Sequence, residues 1–128
     1  MKKLLSISLT FVLLFLLGCT PKDDAIIKVF VRSSTNQLVY GAKVIVIGDL
    51  QSNPPTEAYV DTAYTNSSGF TTFNMEDYFN LAKDSQDPDV SKTTGYFDIL
   101  VKSNDKEAAG YTRCRVHTTS VETIYLPN

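Results

Sequence analysis

The chain has 128 residues, a formal net charge of −2, one histidine, two cysteines and no tryptophan. That length accommodates one domain with a two-layer core. Mild acidity without a basic cluster excludes the usual footprint of a nucleic-acid binder, and two cysteines are too few for the disulfide framework of a small secreted scaffold.

Lys2 and Lys3 open the chain with positive charge, and Leu4–Leu17 follows as an uncharged, leucine-rich run of 14 residues. A membrane span needs about 20 apolar residues, whereas the apolar region of a secretory signal runs roughly 7–15. The run closes on Leu16-Leu17-Gly18-Cys19. These four residues resemble the lipobox of bacterial lipoproteins. The resemblance implies removal of residues 1–18 as a signal peptide and lipidation of Cys19, with diacylglycerol on its sulfur and an acyl chain such as palmitate. Two or three acyl chains suffice for stable membrane anchoring.

Thr20-Pro21-Lys22-Asp23-Asp24 comes next. The residue after Cys19 is Thr, not the Asp that retains lipoproteins in the inner membrane of enteric bacteria. Lys22, Asp23 and Asp24 resemble a surface-export signal, a lysine followed by two acids just behind the lipidated cysteine. Their plain reading is a charged, solvated tether. The expected location is the outer membrane, lipid-anchored and facing the cell surface, with the periplasmic face as the alternative. Without Lys2 and Lys3 the remainder has 10 basic residues against 14 acidic ones, a net charge of −4. Acyl chains, not electrostatic attraction to anionic lipid, are therefore expected to hold it.

From Ala25 onward the pattern is that of strands. Ala25–Arg32 alternates, with Ile27, Val29 and Val31 on one face and Phe30 as the apolar exception on the other. Ser33–Asn36 is a turn cluster. Val39–Asp49 carries the run Val44-Ile45-Val46-Ile47, whose two apolar faces suggest a central strand covered at least partly on both sides. Pro54 and Pro55 mark a loop. Glu57–Thr65 alternates again, Asn66–Gly69 is a tight turn, and Phe70–Asn74 is a short strand. The period then changes: Met75, Tyr78, Phe79 and Ala82 fall at helical spacing, and Asn74 is a candidate cap, so a helix is expected over Met75–Lys83. A polar loop, Asp84–Thr94, leads to a strand at Tyr96–Lys102, a turn at Asn104–Ala109, and final strands at Tyr111–Thr118 and Val121–Leu126. Seven strands at this spacing predict an all-β sandwich over residues 25–128, with residues 19–24 as lipidated Cys and tether.

Lys28-Val-Phe-Val31, Val39-Tyr-Gly-Ala42 with Val44 and Val46, and Thr65-Asn-Ser-Ser-Gly-Phe70 with Phe73 together resemble the carboxypeptidase regulatory-like domain. That family has a transthyretin-like (prealbumin-like) Greek-key sandwich of seven strands. The resemblance implies this fold and no catalytic residue. The stretch from Asn74 to Gly95 is longer than the family minimum, which leaves the strand order beyond it open.

Candidate chemical groups are few. His117, expected on the polar face of its strand with Tyr111, Arg113 and Arg115, has no Ser or Cys partner in the pattern. Cys114, on the opposite face with Thr112 and Val116, reads as a buried structural thiol. Related hydrolases of the same fold use several histidines and end in Tyr-Arg-Gly-Ser. This chain has one histidine and ends Tyr125-Leu126-Pro127-Asn128. Asp84, Asp87 and Asp89 share a loop without the glycine and glutamate of a calcium site.

Tyr59, Tyr64 and Tyr96, with Tyr111 and Tyr125, are candidates for an aromatic strip that stacks on sugar. Asp61-Thr62-Ala63 matches a short O-glycosylation motif of exported proteins, with Thr62 as acceptor. The expectation is a non-enzymatic lipoprotein that displays one binding or structural module. It takes no cofactor or metal, meets the membrane through Cys19, engages a protein or glycan partner and binds no nucleic acid. The alternatives are a periplasm-facing component of a secretion or envelope assembly, and a glycan-binding accessory lipoprotein.

Overall fold

The computed structural model describes residues 22–128. The expected signal peptide, residues 1–18, and Cys19 lie outside the described residues. The elements in chain order are β1 (Ile26–Arg32), β2 (Lys43–Gly48), β3 (Val60–Tyr64), β4 (Phe70–Asn74), α1 (Glu76–Asp84), β5 (Thr94–Ser103), β6 (Lys106–Arg115) and β7 (Thr119–Tyr125). They build two sheets, β4-β1-β7 and β3-β2-β5-β6. Every pairing is antiparallel except that of β1 with β7. The chain changes sheet between β1 and β2, β3 and β4, β4 and β5, and β6 and β7. The result is an all-β Greek-key sandwich of seven strands with one short helix.

Period-two alternation explains the core. Ile27, Val29 and Val31 of β1 face Val44 and Val46 of β2 and Phe97, Ile99 and Val101 of β5, all fully buried. Burying each such side chain contributes about 1.5–3 kcal/mol. Helix α1 closes one end of the sandwich with Tyr78, Phe79 and Ala82. The Tyr78 ring stands edge-on to Tyr59 and Phe97, at centroid separations of 5.6 and 4.9 Å. The register places the starts of β1, β5 and β7 and the ends of β4 and β6 at this helix end.

The opposite end is organised by Thr65. Its buried hydroxyl donates to the Val39 carbonyl at 2.7 Å and accepts from the Ala42 amide at 2.9 Å. Asn66 then turns the chain: its Oδ1 accepts from Ser68 N at 2.9 Å, its carbonyl accepts from Gly69 N at 2.9 Å, and Gly69 sits at φ 71°. Glycine takes that left-handed conformation at little steric cost.

Several boundaries differ from the sequence reading. Regular β2 starts at Lys43, not Val39, because Gly41 lies at φ 71° and residues 38–42 wrap between β1 and Thr65. The strand is central, but only one of its faces is covered: Ile45 and Ile47 are half-buried, flanked by β3 and β5 with no described element above them. β3 pairs only from Val60, since Glu57 instead donates its amide to the Tyr78 hydroxyl.

The helix is shifted by one residue, and its N-cap is Met75 rather than Asn74. Asn74 still contributes, accepting from the Glu76 amide at 3.0 Å. β5 is longer than expected, and the expected turn Asn104–Ala109 is only Asn104-Asp105. Lys106–Ala109 belongs to β6, an edge strand whose outer positions are polar or small. β6 ends at Arg115 and β7 begins at Thr119, so the strand expected to reach Thr118 stops short.

Candidate functional site

Asp23 and Asp24, the end of the expected tether 19–24, are bound into the fold. His117 sits in the β6–β7 turn at φ 60°, and its Nδ1 donates to the Asp23 carbonyl at 2.9 Å. Asn74 Nδ2 donates to Asp24 Oδ2 at 3.0 Å, and the Ala25 amide donates to Glu76 Oε1 at 3.0 Å. Three separate elements thus grip three consecutive residues. Lys22 and Asp23 keep their side chains exposed, as does Asp24 apart from its bond to Asn74.

This placement corrects the reading of His117. It does not share the strand face of Tyr111, Arg113 and Arg115, because a residue at positive φ has left the pleat. Its ring serves as a clamp on backbone. Cys114 lies on the inner face, fully buried as expected. Burial pushes its thiol up to about 11, so it stays protonated near neutral pH. The acidic loop after α1 is self-satisfied in part: Asp87 Oδ1 accepts from Asp89 N at 2.9 Å. Among the described residues no cluster of three metal-ligating side chains occurs.

The three tyrosines marked for sugar contact do not come together. Tyr59 turns toward the core, edge-on to Tyr78 and Phe97. Tyr64 lies 63 % exposed on edge strand β3, in the row of Lys43, Lys102 and Glu107. Tyr96 shares the outer face of the same sheet but sits six residues down β5 from that row, about 20 Å away. Its real partner is Tyr111, with ring centroids 6.3 Å apart and planes 23° from parallel. Tyr111 in turn donates its hydroxyl to Asp49 Oδ2 at 2.7 Å. Period-two reading put both rings among the candidates; only the β5–β6 register, Tyr96 opposite Arg113 and Asp98 opposite Tyr111, shows that they meet.

Thr62 is exposed on the outer face of β3, and its amide donates to the side chain of the preceding Asp61 at 2.8 Å. A depression of about 350 Å³ opens beside the β5–β6 hairpin, lined by Leu100, Val101, Lys102, Glu107, Ala108 and Ala109. Its charged groups, Lys102 and Glu107, pair with each other at 3.1 Å. No lining residue is a nucleophile poised beside a base.

The outer face of the three-stranded sheet carries a group that alternation alone left unexplained. Phe30 and Phe70 pair at 5.4 Å, and the Lys28 ammonium sits 4.1 Å from the Phe70 centroid. Phe30, the apolar exception of β1, is thereby covered by its own sheet. No described helix is long and apolar enough to cross a membrane.

Models of known protein families give no match to this sequence. A search of curated proteins likewise returns no match.

Proposed function

We propose that this protein is a non-enzymatic, lipid-anchored outer-membrane module whose sandwich is held at the cell surface for binding or structural work. One observation carries the reading: Lys2-Lys3, a 14-residue apolar run and Leu16-Leu17-Gly18-Cys19 stand in the order that lipoprotein processing requires. The sandwich supports it from the other side, since the folded body starts at Asp23, directly behind the expected lipid. Lys22, Asp23 and Asp24 supply the expectation of surface export, and their exposed side chains are compatible with recognition there. The strand-turn pattern around Ala42, Thr65 and Gly69 supports the likeness to the carboxypeptidase regulatory-like domain.

A non-enzymatic role is favoured by how the two reactive side chains are used. His117 clamps a carbonyl, and Cys114 is buried with its thiol pushed up to about 11. Neither is placed to attack a substrate.

The test is the mass and partition of the protein made in a Gram-negative host. Loss of residues 1–18 with a lipid-sized addition at Cys19, both abolished by Cys19→Ser, is the expected result. An unmodified Cys19 in a water-soluble product refutes anchoring. Protease applied to intact cells then reads the membrane face: degradation without breaking the outer membrane supports surface display, and survival until the membrane is opened supports the periplasmic alternative.

Glycan binding is a second reading, favoured by one observation. Tyr96 and Tyr111 form a stacked, partly exposed pair whose hydroxyl is oriented by Asp49. Aromatic faces beside oriented polar groups suit a sugar ring. Retention on a glycan array that disappears in Tyr96→Ala and Tyr111→Ala supports it; no retained glycan removes it.

A further inference from the structure

From the pinned tether we infer that the helix end of the sandwich, with α1 and the loop after β2, rests against the lipid headgroups while the Thr65 end points away. The inference rests on lipidation of Cys19. Cys19 and Asp23 are four residues apart, and four residues span at most about 14 Å even when fully extended. Asp23 is held by His117, Asp24 by Asn74 and Ala25 by Glu76. All three partners lie at one end of the molecule, at the β6–β7 turn, the end of β4 and the first turn of α1. The ten residues of β5 make the sandwich about 33 Å tall. A link of 14 Å bound to one end cannot carry the other end to the bilayer without first breaking these hydrogen bonds.

The surface so presented fits an interfacial position. α1 buries Tyr78, Phe79 and Ala82 inward and leaves Leu81 45 % exposed on its outer side. Leu50, just past β2 at the same end, is 57 % exposed. Glu57, Glu76, Asp77, Asp84, Asp87 and Asp89 outnumber Lys83, Lys92, Arg113 and Arg115 at that end, and the Lys92 ammonium is hydrogen-bonded to the Ala82 carbonyl at 2.6 Å. Attraction to anionic lipid therefore does not set this orientation. The tether sets it, on zwitterionic lipid and with little dependence on salt. The partner-facing surface is then the far end: loop 33–42, the Asn66–Gly69 turn and Asn104-Asp105.

The experiment uses the processed, acylated protein, Cys19 to Asn128, in phosphatidylcholine vesicles that carry a nitroxide on the headgroup. A fluorophore is attached to Leu81→Cys or to Asn104→Cys, native Cys114 being buried. The Leu81→Cys label is expected to lose fluorescence to the nitroxide while the Asn104→Cys label keeps it, in low and high salt alike. A flexible Gly-Ser insertion of about 15 residues between Pro21 and Lys22 is expected to restore the Leu81→Cys signal. If both labels stay bright, or the Asn104→Cys label is the quenched one, on protein whose mass shows acylated Cys19, the orientation is wrong and the anchoring stands. If the mass shows no acyl group, anchoring itself fails and the orientation falls with it.

Discussion

His117 and Asp23, 94 positions apart in the chain, are joined by a hydrogen bond of 2.9 Å from the imidazole Nδ1 to a main-chain carbonyl. The bond makes the only histidine a structural fastener between the β6–β7 turn and the segment just before β1. A histidine at φ 60° is conformationally costly, by roughly 1 kcal/mol.

Replacing His117 separates these two effects. His117→Ala keeps the backbone cost and loses the bond, so stability is expected to fall by about 0.5–1.5 kcal/mol in urea unfolding. His117→Gly relieves the backbone and loses the bond, and is expected to come closer to the parent. In both variants the Ala25 amide, now less firmly held against Glu76, is expected to exchange with solvent faster. Unchanged protection at Ala25 means that the clamp does not order the tether.

Thr65 is a sharper test because its hydroxyl is buried and fully used, by Val39 as acceptor and Ala42 as donor. Thr65→Val is nearly isosteric and leaves both groups without a partner. The expected loss is about 2–4 kcal/mol, against about 1 kcal/mol for Thr65→Ser, which keeps the hydroxyl. A larger loss for Thr65→Ser than for Thr65→Val would show that the methyl group, not the hydroxyl, holds the turn.

Thr65 also shows what could be read from residues alone. Local patterns were legible: Ile27, Val29 and Val31 alternate because one face of β1 is core, and Tyr78, Phe79 and Ala82 recur at helical spacing because α1 buries one stripe. Asn66 and Gly69 announce a turn through their own backbone chemistry. What depends on register was not legible. Lys106–Ala109 looked like a turn because the outer face of an edge strand imposes no apolar residue. Tyr59, Tyr64 and Tyr96 looked alike, yet one faces the core, one lies on an edge and one stacks on Tyr111. The grip of His117 on Asp23 joins turn to tether with no periodic signal.

Tyr111 gives a prediction in pH. Its ring is 47 % exposed, yet desolvation of the hydroxyl and the hydrogen bond to Asp49 push its pKa up from 10.0 to about 12. A tyrosine with a raised folded-state pKa favours folding through its protonated form. That contribution is complete below pH 10 and is lost as pH rises through about 12. Ultraviolet titration of the phenolates is expected to show Tyr111 among the late-titrating groups, near 12, a component that Asp49→Asn moves downward and Tyr111→Phe removes, while Tyr59 and Tyr78, raised by burial, still titrate late. A late step that survives Tyr111→Phe belongs to another tyrosine.

Cys114 closes the question of reactivity. The side chain is fully buried on the inner face of β6, and desolvation pushes the thiol up from 9.0 to about 11. At pH 8 such a thiol is ionised only to about one part in a thousand, and no reagent reaches it without an opening of the sandwich. Reaction with a thiol-specific chromogen in a Cys19→Ser background is therefore expected to be negligible in the native protein. In mild denaturant and at low reagent concentration its rate should rise in proportion to the population of unfolded chain. Rapid native labelling at pH 8 would mean that β6 opens locally and would reinstate Cys114 as a candidate for redox chemistry. Slow labelling that tracks unfolding leaves it as a small apolar side chain that fills the core beside Thr112 and Ser120.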